Sequence, residues 1–465
     1  MPVEWAGLGP ELLVTIDRDA GTGLRTQLEE ALRTAIRTGR LAAQDKLPSS
    51  RELAQALGLS RGLVQDCYAQ LQAEGYLTSR PGSATRVAPG AATVAAPIAP
   101  RPDPAAAPTV ADFRTGVPDL GLIPREDWAW AVREACRTMP DAAFDYGDPS
   151  GQRRLREVLA AYLARVRATA ATAEHIVVCG GMAQALALVL PALDGGRLAV
   201  EDPGPGTSTV EQAEAAGMRV VPVPVDDGGL DVAALTASGA RAVLVTPAHQ
   251  WPTGVVLSGP RRQELIAWAR GADGIIVEDD YDAEFRYDRD PVGSLQGLAP
   301  DRVVSLGTVS KSLAPALRLG WIVAPDRLLP PIVHAKRLAD RGSPGVDQFA
   351  LAALLESGRY DRHLRRVRAE YAARREVLTA ALAAHAPHLP VTGLAAGFHA
   401  VLGLPDGTDE AALITRALDR GVGLYGMAEH HRDPASARPR LVLGFGNTSQ
   451  REIAAGIAAV ADLLR

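Results

Sequence analysis

The stretch SLGTVSKSLAPALRLG, residues 305–320, places a lysine between two serines shortly after a run of apolar residues. Lysine is scarce in this chain: of 49 basic residues, only Lys46, Lys311 and Lys336 are not arginine. A sequence that uses arginine almost everywhere is expected to keep lysine where a primary amine is required. Lys311 is therefore a candidate for chemistry that arginine cannot perform, such as a Schiff base with an aldehyde.

Short apolar runs alternate with amphipathic segments on the N-terminal side of this lysine. Five such runs resemble buried strands: HIVVCGG (175–181), GRLAVEDPG (196–204), RAVLVTPAH (241–249), GIIVEDDYD (274–282) and RVVSLG (302–307). Amphipathic, helix-like segments separate most of them. The alternation predicts an α/β unit with a mostly parallel sheet.

The residues directly after these runs are the first candidates for a binding site, because ligands of open parallel sheets lie at the carboxyl ends of the strands. Asp279 suits a contact that keeps a pyridinium nitrogen protonated. Tyr281 lies two residues further on, hence on the same strand face, and suits a hydrogen bond to a phenolate oxygen. With Lys311 as the amine, these side chains match a pyridine aldehyde cofactor.

A phosphate group on such a cofactor requires hydroxyls, a cation and free backbone N–H groups. Thr308 and Ser310 flank Lys311 closely, and Arg318 follows seven residues after it. The N–H groups at the start of a helix come from Gly181, Met182 and Ala183. We therefore predict that Lys311 carries pyridoxal phosphate, although each feature taken singly also fits a helix cap, a metal ligand, a turn or a surface loop.

The first 87 residues have the pattern of a small DNA-binding domain. Apolar spacing predicts a helix at 24–39, the segment 47–77 predicts two helices joined at Gly58, and 76–87 predicts a hairpin around Pro-Gly-Ser. Helix, helix–turn–helix and hairpin in this order are typical of a winged helix-turn-helix.

Such a domain directs the first residues of its second helix-turn-helix helix toward the major groove. The predicted DNA-binding residues are Ser49, Arg51, Ser60, Arg61, Gln65, Arg80 and Gly82. Arg61 and Gln65 suit base edges or phosphates, whereas Arg51 and Arg80 suit phosphates. Residues 1–87 hold ten basic and ten acidic side chains, so charge supports this prediction only weakly. A protein-interaction domain is the alternative.

The chain is predicted to comprise two domains joined by a linker. Residues 88–109 are almost entirely Ala, Pro and other small residues, a composition typical of an extended connection. We predict a DNA-binding domain at 10–87 and a cofactor-binding domain at 110–465. The latter divides into a large part at about 110–335 and a small α+β part at about 336–465.

Composition limits the classes of function and location. The net charge is −5 and the sequence pI is about 6.0, so any attraction to DNA has to be local. Three scattered cysteines form no metal-binding or disulfide pattern, so we expect no metal site and a reducing cytoplasm. Neither a signal peptide nor a membrane span is expected.

Two families share the motifs in this chain. LPSSRELA, SRGLV and EGYL resemble the DNA-binding domain of the GntR family. YGDPSGQRRLREVLAAYL, EDPG, TPAHQWPTGVVLS, EDDYDAEFRY and SKSLAPALRLGWIVAP resemble the fold-type I aminotransferases. Together they make the chain similar to the MocR-type transcriptional regulators, and this resemblance covers nearly everything outside the linker.

The resemblance assigns roles by position. It implies that Lys311 binds the cofactor aldehyde, Asp279 the ring nitrogen and Tyr281 the phenolate oxygen, with the phosphate as described above. It adds Tyr146, which would reach a phosphate across the interface of a homodimer, and Arg440, which would hold a substrate or effector carboxylate. Gln250 is a further cofactor-binding candidate, because His249, Gln250 and Trp251 precede Pro-Thr-Gly where aminotransferases carry an asparagine.

The sequence departs from the aminotransferase pattern after EDPG. Pro205 occupies the place of an aromatic residue that stacks on the cofactor ring, and Thr207 and Ser208 stand where an anchoring arginine is expected. Either Pro205 covers the ring by apolar contact, another aromatic residue such as Trp251 replaces it, or cofactor affinity is reduced.

Three functions fit the sequence. The preferred one is a transcriptional regulator whose aminotransferase-like domain senses an amine, an amino acid or pyridoxal phosphate itself. The alternative is an active aminotransferase with a fused DNA-binding domain, since the groups for half-transamination are present. A GntR-type regulator with a cofactor-free ligand domain is the third, and it would make the residues around Lys311 a coincidence.

Overall fold

The computed structural model describes residues 14, 16–18, 21–79, 84–90, 110–282, 284–287 and 292–465. For Ser436 it describes the backbone only. The chain divides into two compact units, Met1–Ala105 and Ala106–Arg465. Most of the predicted linker at 88–109 lies outside the described residues, as do Arg80 and Gly82. The domain bounds proposed from sequence remain predictions.

The first unit is a winged helix-turn-helix, which confirms the prediction for this region. Its elements are α1 (Leu24–Arg37), α2 (Ser50–Leu57), α3 (Arg61–Ala73), β1 (Leu77–Thr78) and β2 (Arg86–Val87). Strands β1 and β2 pair in antiparallel fashion. Apolar side chains from all five elements form one buried cluster, and this packing holds the two helices of the motif together.

Local sequence determines where the helices of this motif begin and end. Ser49 and Glu52 form a reciprocal capping box at the start of α2, with N···O distances of 3.2 and 2.8 Å. Gly58 ends the helix at φ +64°, and the Ser60 hydroxyl accepts the Leu63 N–H at 3.2 Å to cap α3. The turn between the two helices is thus specified by residues 49–63.

The second unit is built around an eight-stranded sheet. The strands are β4 (Ile176–Cys179), β5 (Gly196–Asp202), β6 (Met218–Asp226), β7 (Gly229–Leu230), β8 (Ala242–Val245), β9 (Ile275–Asp280), β10 (Val303–Thr308) and β11 (Gly320–Val323). Their order is β4-β11-β10-β9-β8-β5-β6-β7. The pairs from β10 through β9, β8 and β5 to β6 are parallel, whereas β11 and β7 pair in antiparallel fashion. The predicted mostly parallel sheet is confirmed.

Helices cover both faces of this sheet, which explains why β4 and β8 are buried along their full length. The α-helices of the second unit are α4 (Arg125–Thr138), α5 (Arg153–Arg167), α6 (Met182–Val189), α7 (Thr207–Ala215), α8 (Val232–Ser238), α9 (Gly259–Gly271), α10 (Leu329–Asp340), α11 (Gly345–Glu356), α12 (Arg359–His385), α13 (Glu410–Leu418) and α14 (Gln450–Ala459). Short 3₁₀ turns occur at Asp141–Phe144, Ala173–His175, Leu190–Leu193, Pro315–Leu317, Ala428–His430 and Pro434–Ser436.

The C-terminal part carries its own small sheet. The remaining strands are β3 (Ala111–Asp112), β12 (Val391–Thr392), β13 (His399–Gly403), β14 (Val422–Gly423) and β15 (Arg440–Gly444). Strands β12, β13 and β15 pair in antiparallel fashion, and β14 pairs with β3 from the start of the unit. The smaller part therefore includes chain from both ends of the unit, and a division at 335/336 falls inside α10.

Within the described part of the chain, no helix combines the length and the apolar character that a membrane crossing requires.

Candidate cofactor site

A cavity of about 420 Å³ opens at the carboxyl ends of the central strands. Most of the polar residues proposed from sequence line it. The lining consists of Gly116, Met182, Ala183, Glu201, Pro205, Gly206, Thr209, Leu244, Thr246, Trp251, Asp279, Tyr281, Thr308, Ser310, Lys311, Pro315 and Arg318. The parallel sheet therefore gathers side chains that are as far apart in sequence as Met182 and Arg318.

Lys311 lies in the connection between the antiparallel strands β10 and β11. Its side chain is half-buried, and Nζ donates a hydrogen bond to the Gly116 carbonyl at 2.5 Å. Burial lowers the pKa of this amine, while the charges of Asp279 and Asp282 act in the opposite direction. The lowered pKa increases the neutral, nucleophilic fraction of the amine at physiological pH.

Asp279 lies near the end of β9 and faces the cavity. Burial raises the pKa of its carboxyl to about 8, and the neighbouring Asp280 and Asp282 add to the increase, whereas Lys311 opposes it. Among the described residues, none donates a hydrogen bond to this carboxylate. A cationic ligand group would therefore find an acid at this position that the protein itself leaves unpaired.

The Tyr281 hydroxyl lies beside the same cavity. It donates to the His249 backbone carbonyl at 3.1 Å and lies 3.4 Å from His249 Nδ1. The ring of Trp251 meets the Tyr281 ring edge-on, with 6.5 Å between the centroids. Burial raises the pKa of the phenol well above its ordinary value, so the hydroxyl keeps its proton and remains a donor.

The predicted phosphate end of the cavity lies where β4 leads into α6. Gly181 has φ +94°, and a Cβ there would lie 3.6 Å from Thr308 Oγ1 and 3.7 Å from both Arg318 Nη1 and Ser310 Oγ. The Thr308 hydroxyl donates to Ser310 Oγ at 2.8 Å. Hydroxyls, guanidinium and the first N–H groups of α6 thus surround one small volume that suits a phosphate.

These observations fit pyridoxal phosphate group by group. The amine of Lys311, the unpaired Asp279 carboxyl and the Tyr281 hydroxyl match the aldehyde, ring nitrogen and phenolate. The space beside Gly181 matches the phosphate. The residues present therefore meet each requirement that the sequence predicted for this cofactor.

Gln250 lies outside the cavity lining. Its amide donates to the Pro203 carbonyl at 2.9 Å, and its Oε1 accepts the Thr253 hydroxyl at 2.6 Å. Gln250 is fully enclosed, with 1% of its surface exposed. The structure thus places Gln250 in the support of the loops behind the cavity and does not bring it to the proposed cofactor.

Glu201 is a cavity residue that the sequence reasoning did not select. Its Oε2 accepts hydrogen bonds from the Thr246 hydroxyl at 2.7 Å and the Thr246 N–H at 3.1 Å. Burial raises the pKa of this carboxyl to about 7, against the effect of those hydrogen bonds. Its position at the end of β5, as the first residue of EDPG, was the available signal.

Pro205 and Trp251 both line the cavity, so each is placed where it could cover a cofactor ring. Trp251 also packs edge-on against His399 and His430, at centroid distances of 5.1 and 5.3 Å. Burial lowers the pKa of His430 to about 4 and that of His399 well below its ordinary value. These rings are therefore neutral and form an aromatic wall.

His249, Asp282 and His399 form a buried group with the spacing of metal ligands. Each offers one potential ligand atom, and these atoms lie within 4.8 Å of one another. His249 Nδ1 lies 2.8 Å from Asp282 Oδ2, and one nitrogen of each histidine contacts a backbone carbonyl. A Cβ at Gly397 would lie 2.3–2.4 Å from His249 and Asp282, so the backbone closes tightly over the group. This packing supports the wall behind Tyr281.

The DNA-binding candidates on the first unit are exposed where the structure describes them. Ser49 and Ser60 cap α2 and α3, and Arg51, Arg61 and Gln65 point away from the buried cluster. Arg61 and Gln65 are four residues apart and share one face of α3. Arg80 and Gly82 were predicted to contact DNA and lie outside the described residues.

Comparison with known proteins identifies the family. Residues 24–87 match the bacterial regulatory proteins of the gntR family, and residues 108–438 match aminotransferase class I and II. The pyridoxine biosynthesis regulator PdxR of Corynebacterium glutamicum is 32% identical, covering 97% of this chain and 98% of its own. The probable rhizopine catabolism regulatory protein MocR of Rhizobium meliloti is 31% identical, covering 96% and 94%. This chain is a MocR-type regulator of the GntR family.

Solved structures resembling this MocR-type chain are aminotransferases. An archaeal alanine:glyoxylate aminotransferase superposes with a TM-score of 0.69 at 28% identity, covering 76% of this chain and 90% of its own. The α-aminoadipate aminotransferase LysN of Thermus thermophilus, solved with N-(5'-phosphopyridoxyl)-L-leucine, gives 0.68 at 26% identity, covering 76% and 91%. The fold predicted from the sequence is confirmed: the second unit is a fold-type I aminotransferase fold, and the chain is a DNA-binding transcriptional regulator.

Two residues that the MocR resemblance assigns to binding lie outside the cavity lining. Tyr146 is 73% exposed, and the Arg341 guanidinium lies 5.2 Å from its ring centroid. Arg440 begins β15 and is half-buried, and its backbone N–H donates to Glu410 at 2.8 Å. Within the described residues, no carboxylate forms an ion pair with its guanidinium. A single subunit thus brings neither side chain into the cavity.

Proposed function

We propose that this regulator holds pyridoxal phosphate on Lys311 and responds to an amine or amino-acid effector, or to the cofactor itself. The observation that carries the proposal is the cavity, which brings together the amine of Lys311, the unpaired carboxyl of Asp279 and a space beside Gly181 that suits a phosphate. Bound pyridoxal phosphate supplies an electrophilic carbon that reacts reversibly with primary amines. The chain's own residues supply binding, orientation and charge.

Each residue has a defined task in this proposal. Asp279 holds the ring nitrogen in its protonated form, and pairing with that cation removes the unfavourable burial of its own charge. Tyr281 would turn its single hydroxyl proton from the His249 carbonyl to the phenolate oxygen. The hydroxyls of Thr308 and Ser310, together with Arg318 and the N–H groups of Met182 and Ala183, neutralise the phosphate.

An effector amine would act by competing with Lys311 for the cofactor. Lys311 would then be released toward Gly116, whose carbonyl already accepts a hydrogen bond from its amine. Such an exchange alters DNA binding only insofar as the effector binds one arrangement of the protein more tightly than another. The name of the relative PdxR refers to pyridoxine biosynthesis, which favours the cofactor as a signal.

A homodimer is part of this proposal. Tyr146 is largely exposed, and Phe144 nearby is 59% exposed, so this segment presents unusually large aromatic surfaces to its surroundings. A second copy would cover them and bring each Tyr146 toward the phosphate in the other subunit. Two DNA-binding domains would then be available to contact paired half-sites.

An active aminotransferase is the second candidate. The cavity that binds the cofactor also contains the amine, electron-sink partner and phenol donor that transamination requires. Repeated turnover of an amino donor and a keto acceptor would support it. A single reaction with the donor followed by altered DNA binding would instead support the sensor.

Absorption spectroscopy tests the central proposal. Purified protein mixed with pyridoxal phosphate should develop a visible band, and reduction with borohydride should fix the cofactor mass on the peptide that contains Lys311. Footprints on the chain's own promoter region, with and without cofactor, then link occupancy to DNA binding. An unmodified Lys311 in the presence of excess cofactor would contradict the proposal.

Arg51→Ala should weaken binding to DNA of any sequence, because an exposed arginine at the start of α2 suits a phosphate contact. The slope of log affinity against log salt should fall by about one unit. Arg61→Ala is the matched comparison, because Arg61 begins α3, the helix that we expect to enter the major groove. This variant should also lose discrimination between bases. A purely base-specific defect in Arg51→Ala would refute its assignment.

Arg440→Ala should reduce the affinity for carboxylate-bearing effectors by about 10- to 100-fold, the effect of losing a charge-assisted hydrogen-bonded pair. The cofactor band should be unchanged, because Arg440 does not line the cavity. Effector titrations monitored by the band measure both quantities. Amines without a carboxylate serve as the control ligands, and loss of the cofactor band itself would show that Arg440 is structural.

A further inference from the structure

Lys336 is a second lysine that the chain keeps among its arginines, and nothing in the proposed chemistry uses it. Its side chain lies on α10 and is fully buried, with 0% exposed. Its three N–H donors have one acceptor each: Asp340 Oδ2 at 2.7 Å, Ser343 Oγ at 2.9 Å and Gln184 Oε1 at 3.1 Å. A buried ammonium requires this complete pairing, so no donor remains for a ligand.

The geometry of this pairing explains why arginine does not replace this lysine. An ammonium is compact and directs three donors tetrahedrally, whereas a guanidinium is a flat fork with five donors. The three acceptors of Lys336 come from different segments of the chain, α6, the end of α10 and the loop after it. A planar group would leave donors unpaired in a fully enclosed space.

Gln184 connects this buried lysine to the phosphate end of the cavity. It is the third residue of α6, and its Oε1 also accepts the Gly180 N–H at 2.6 Å. Its Nε2 donates to Asp340 Oδ2 at 2.6 Å. The side chain is therefore held at both ends of its amide, and through it Lys336 and Asp340 fix the position of Gly180.

A displacement of Gly180 would disturb several phosphate contacts together. Gly180 precedes Gly181, the residue beside Thr308, Ser310 and Arg318, and a Cβ on Gly180 would itself lie 3.8 Å from Arg318 Nη2. A Cβ on Gly320 would lie 2.8 Å from Gly181 Cα, so β11 supports the turn from the other side. The turn is thus located between a packed strand and the Lys336 network.

The same network extends toward Tyr146. Asp340 Oδ1 accepts the Gly342 N–H at 3.0 Å, and a Cβ on Gly342 would lie 3.5 Å from the Tyr146 carbonyl oxygen. Burial acts to raise the pKa of Asp340, but hydrogen bonds from Lys336, Gln184 and Gly342 outweigh it and hold the pKa below its usual value. The carboxylate therefore stays charged and keeps both connections.

We infer that Lys336 is a positioning residue that, through Gln184, sets the phosphate-binding turn at Gly180–Met182 and thereby the preference for the phosphorylated cofactor. The identity of the cofactor rests on the proposed function, but the phosphate subsite does not. Lys336 touches no ligand. Its effect is confined to the end of the cavity that holds a phosphate.

Selectivity between pyridoxal phosphate and pyridoxal provides the test. Gln184→Met removes the hydrogen bond to Gly180 while keeping the Lys336–Asp340 pair, and Lys336→Met removes the charge. Both should lower the affinity for pyridoxal phosphate by about 10-fold and leave that for pyridoxal unchanged. Arg374→Met is the matched control, because Arg374 is also buried and ion-paired, to Asp119 and Glu370, away from the cavity.

A second measurement uses inorganic phosphate without any covalent chemistry. Phosphate should raise the melting temperature of the wild type and of Arg374→Met, and raise that of Gln184→Met less. Equal losses for pyridoxal phosphate and pyridoxal, or an unchanged phosphate response in Gln184→Met, would overturn the inference. If the wild type lacks the visible band but its phosphate response depends on Gln184, the inference stands and the proposed function fails.

Discussion

Lys311→Ala is expected to abolish the visible band of bound pyridoxal phosphate and, with it, every effect of cofactor or effector on DNA binding. The side-chain amine is the group that the cofactor aldehyde requires, and alanine offers no nucleophile in its place. DNA binding in the absence of cofactor should remain, because the winged helix-turn-helix has its own buried cluster. Spectra and footprints of the same preparation measure both outcomes.

Lysine-to-arginine variants supply the matched controls for this prediction. Lys311→Arg keeps a cation in the cavity but has no amine of suitable pKa, so it should also lose the band. Lys46→Arg alters an exposed lysine of the DNA-binding unit, and this variant should keep the visible band. A band that survives in Lys311→Arg would mean that the cofactor is held without a bond to this residue. A footprint that still responds to cofactor would mean that occupancy alone provides the signal.

The strand ends explain why much of the cavity could be predicted from sequence. Buried runs such as IVVC at 176–179 and IIV at 275–277 identify strands by composition, and parallel strands place the residues that follow them at one edge. Asp279 and Lys311 were therefore predictable as neighbours in the cavity, although Asp279 lies on β9 and Lys311 follows β10. The winged helix-turn-helix was predictable for a similar reason, since caps such as Ser49 and Ser60 act within a few residues.

Residues whose role depends on side-chain direction in a turn were not predictable in the same way. Gln250 lies in the same loop after β8 as Thr246 and Trp251, which line the cavity, yet the turn directs its amide toward the Pro203 carbonyl and away from the cavity. The burial of Lys336 could not be predicted from the sequence either. The residues that follow it on α10, 337–340, are exposed, and only the packing of α6 against that helix reveals that its ammonium is enclosed.

Asp279→Asn is expected to stabilise the cofactor-free protein at alkaline pH while weakening its reaction with the cofactor. In the folded protein the pKa of Asp279 is about 8, whereas an unfolded aspartate titrates near 3.9. Between these values the folded state binds more protons than the unfolded state, so this group makes stability fall as pH rises from about 4 to about 8. Asparagine does not ionise and removes that loss.

The size and sign of this effect can be measured by denaturant unfolding without cofactor at several pH values. The advantage of Asp279→Asn should grow from pH 5 to pH 8.5 and reach on the order of 2 kcal/mol, after allowance for solvent reaching the half-buried carboxyl. Glu201, whose pKa is about 7, is present in both proteins, so it contributes to the difference only through its repulsion of the Asp279 carboxylate. A constant difference across this range would contradict the assigned pKa.

Asp280→Asn is the matched control for this experiment because Asp280 is the next residue of β9 and is ion-paired with Arg167 at 2.6 Å. Its loss leaves a buried guanidinium without its partner and should destabilise the protein throughout this pH range. With pyridoxal phosphate bound, the order of Asp279→Asn and wild type should reverse, because only the wild-type carboxylate pairs with the ring nitrogen. The cofactor would then stabilise the wild type more than the variant, and an equal increase in both would show that Asp279 does not contact the ring.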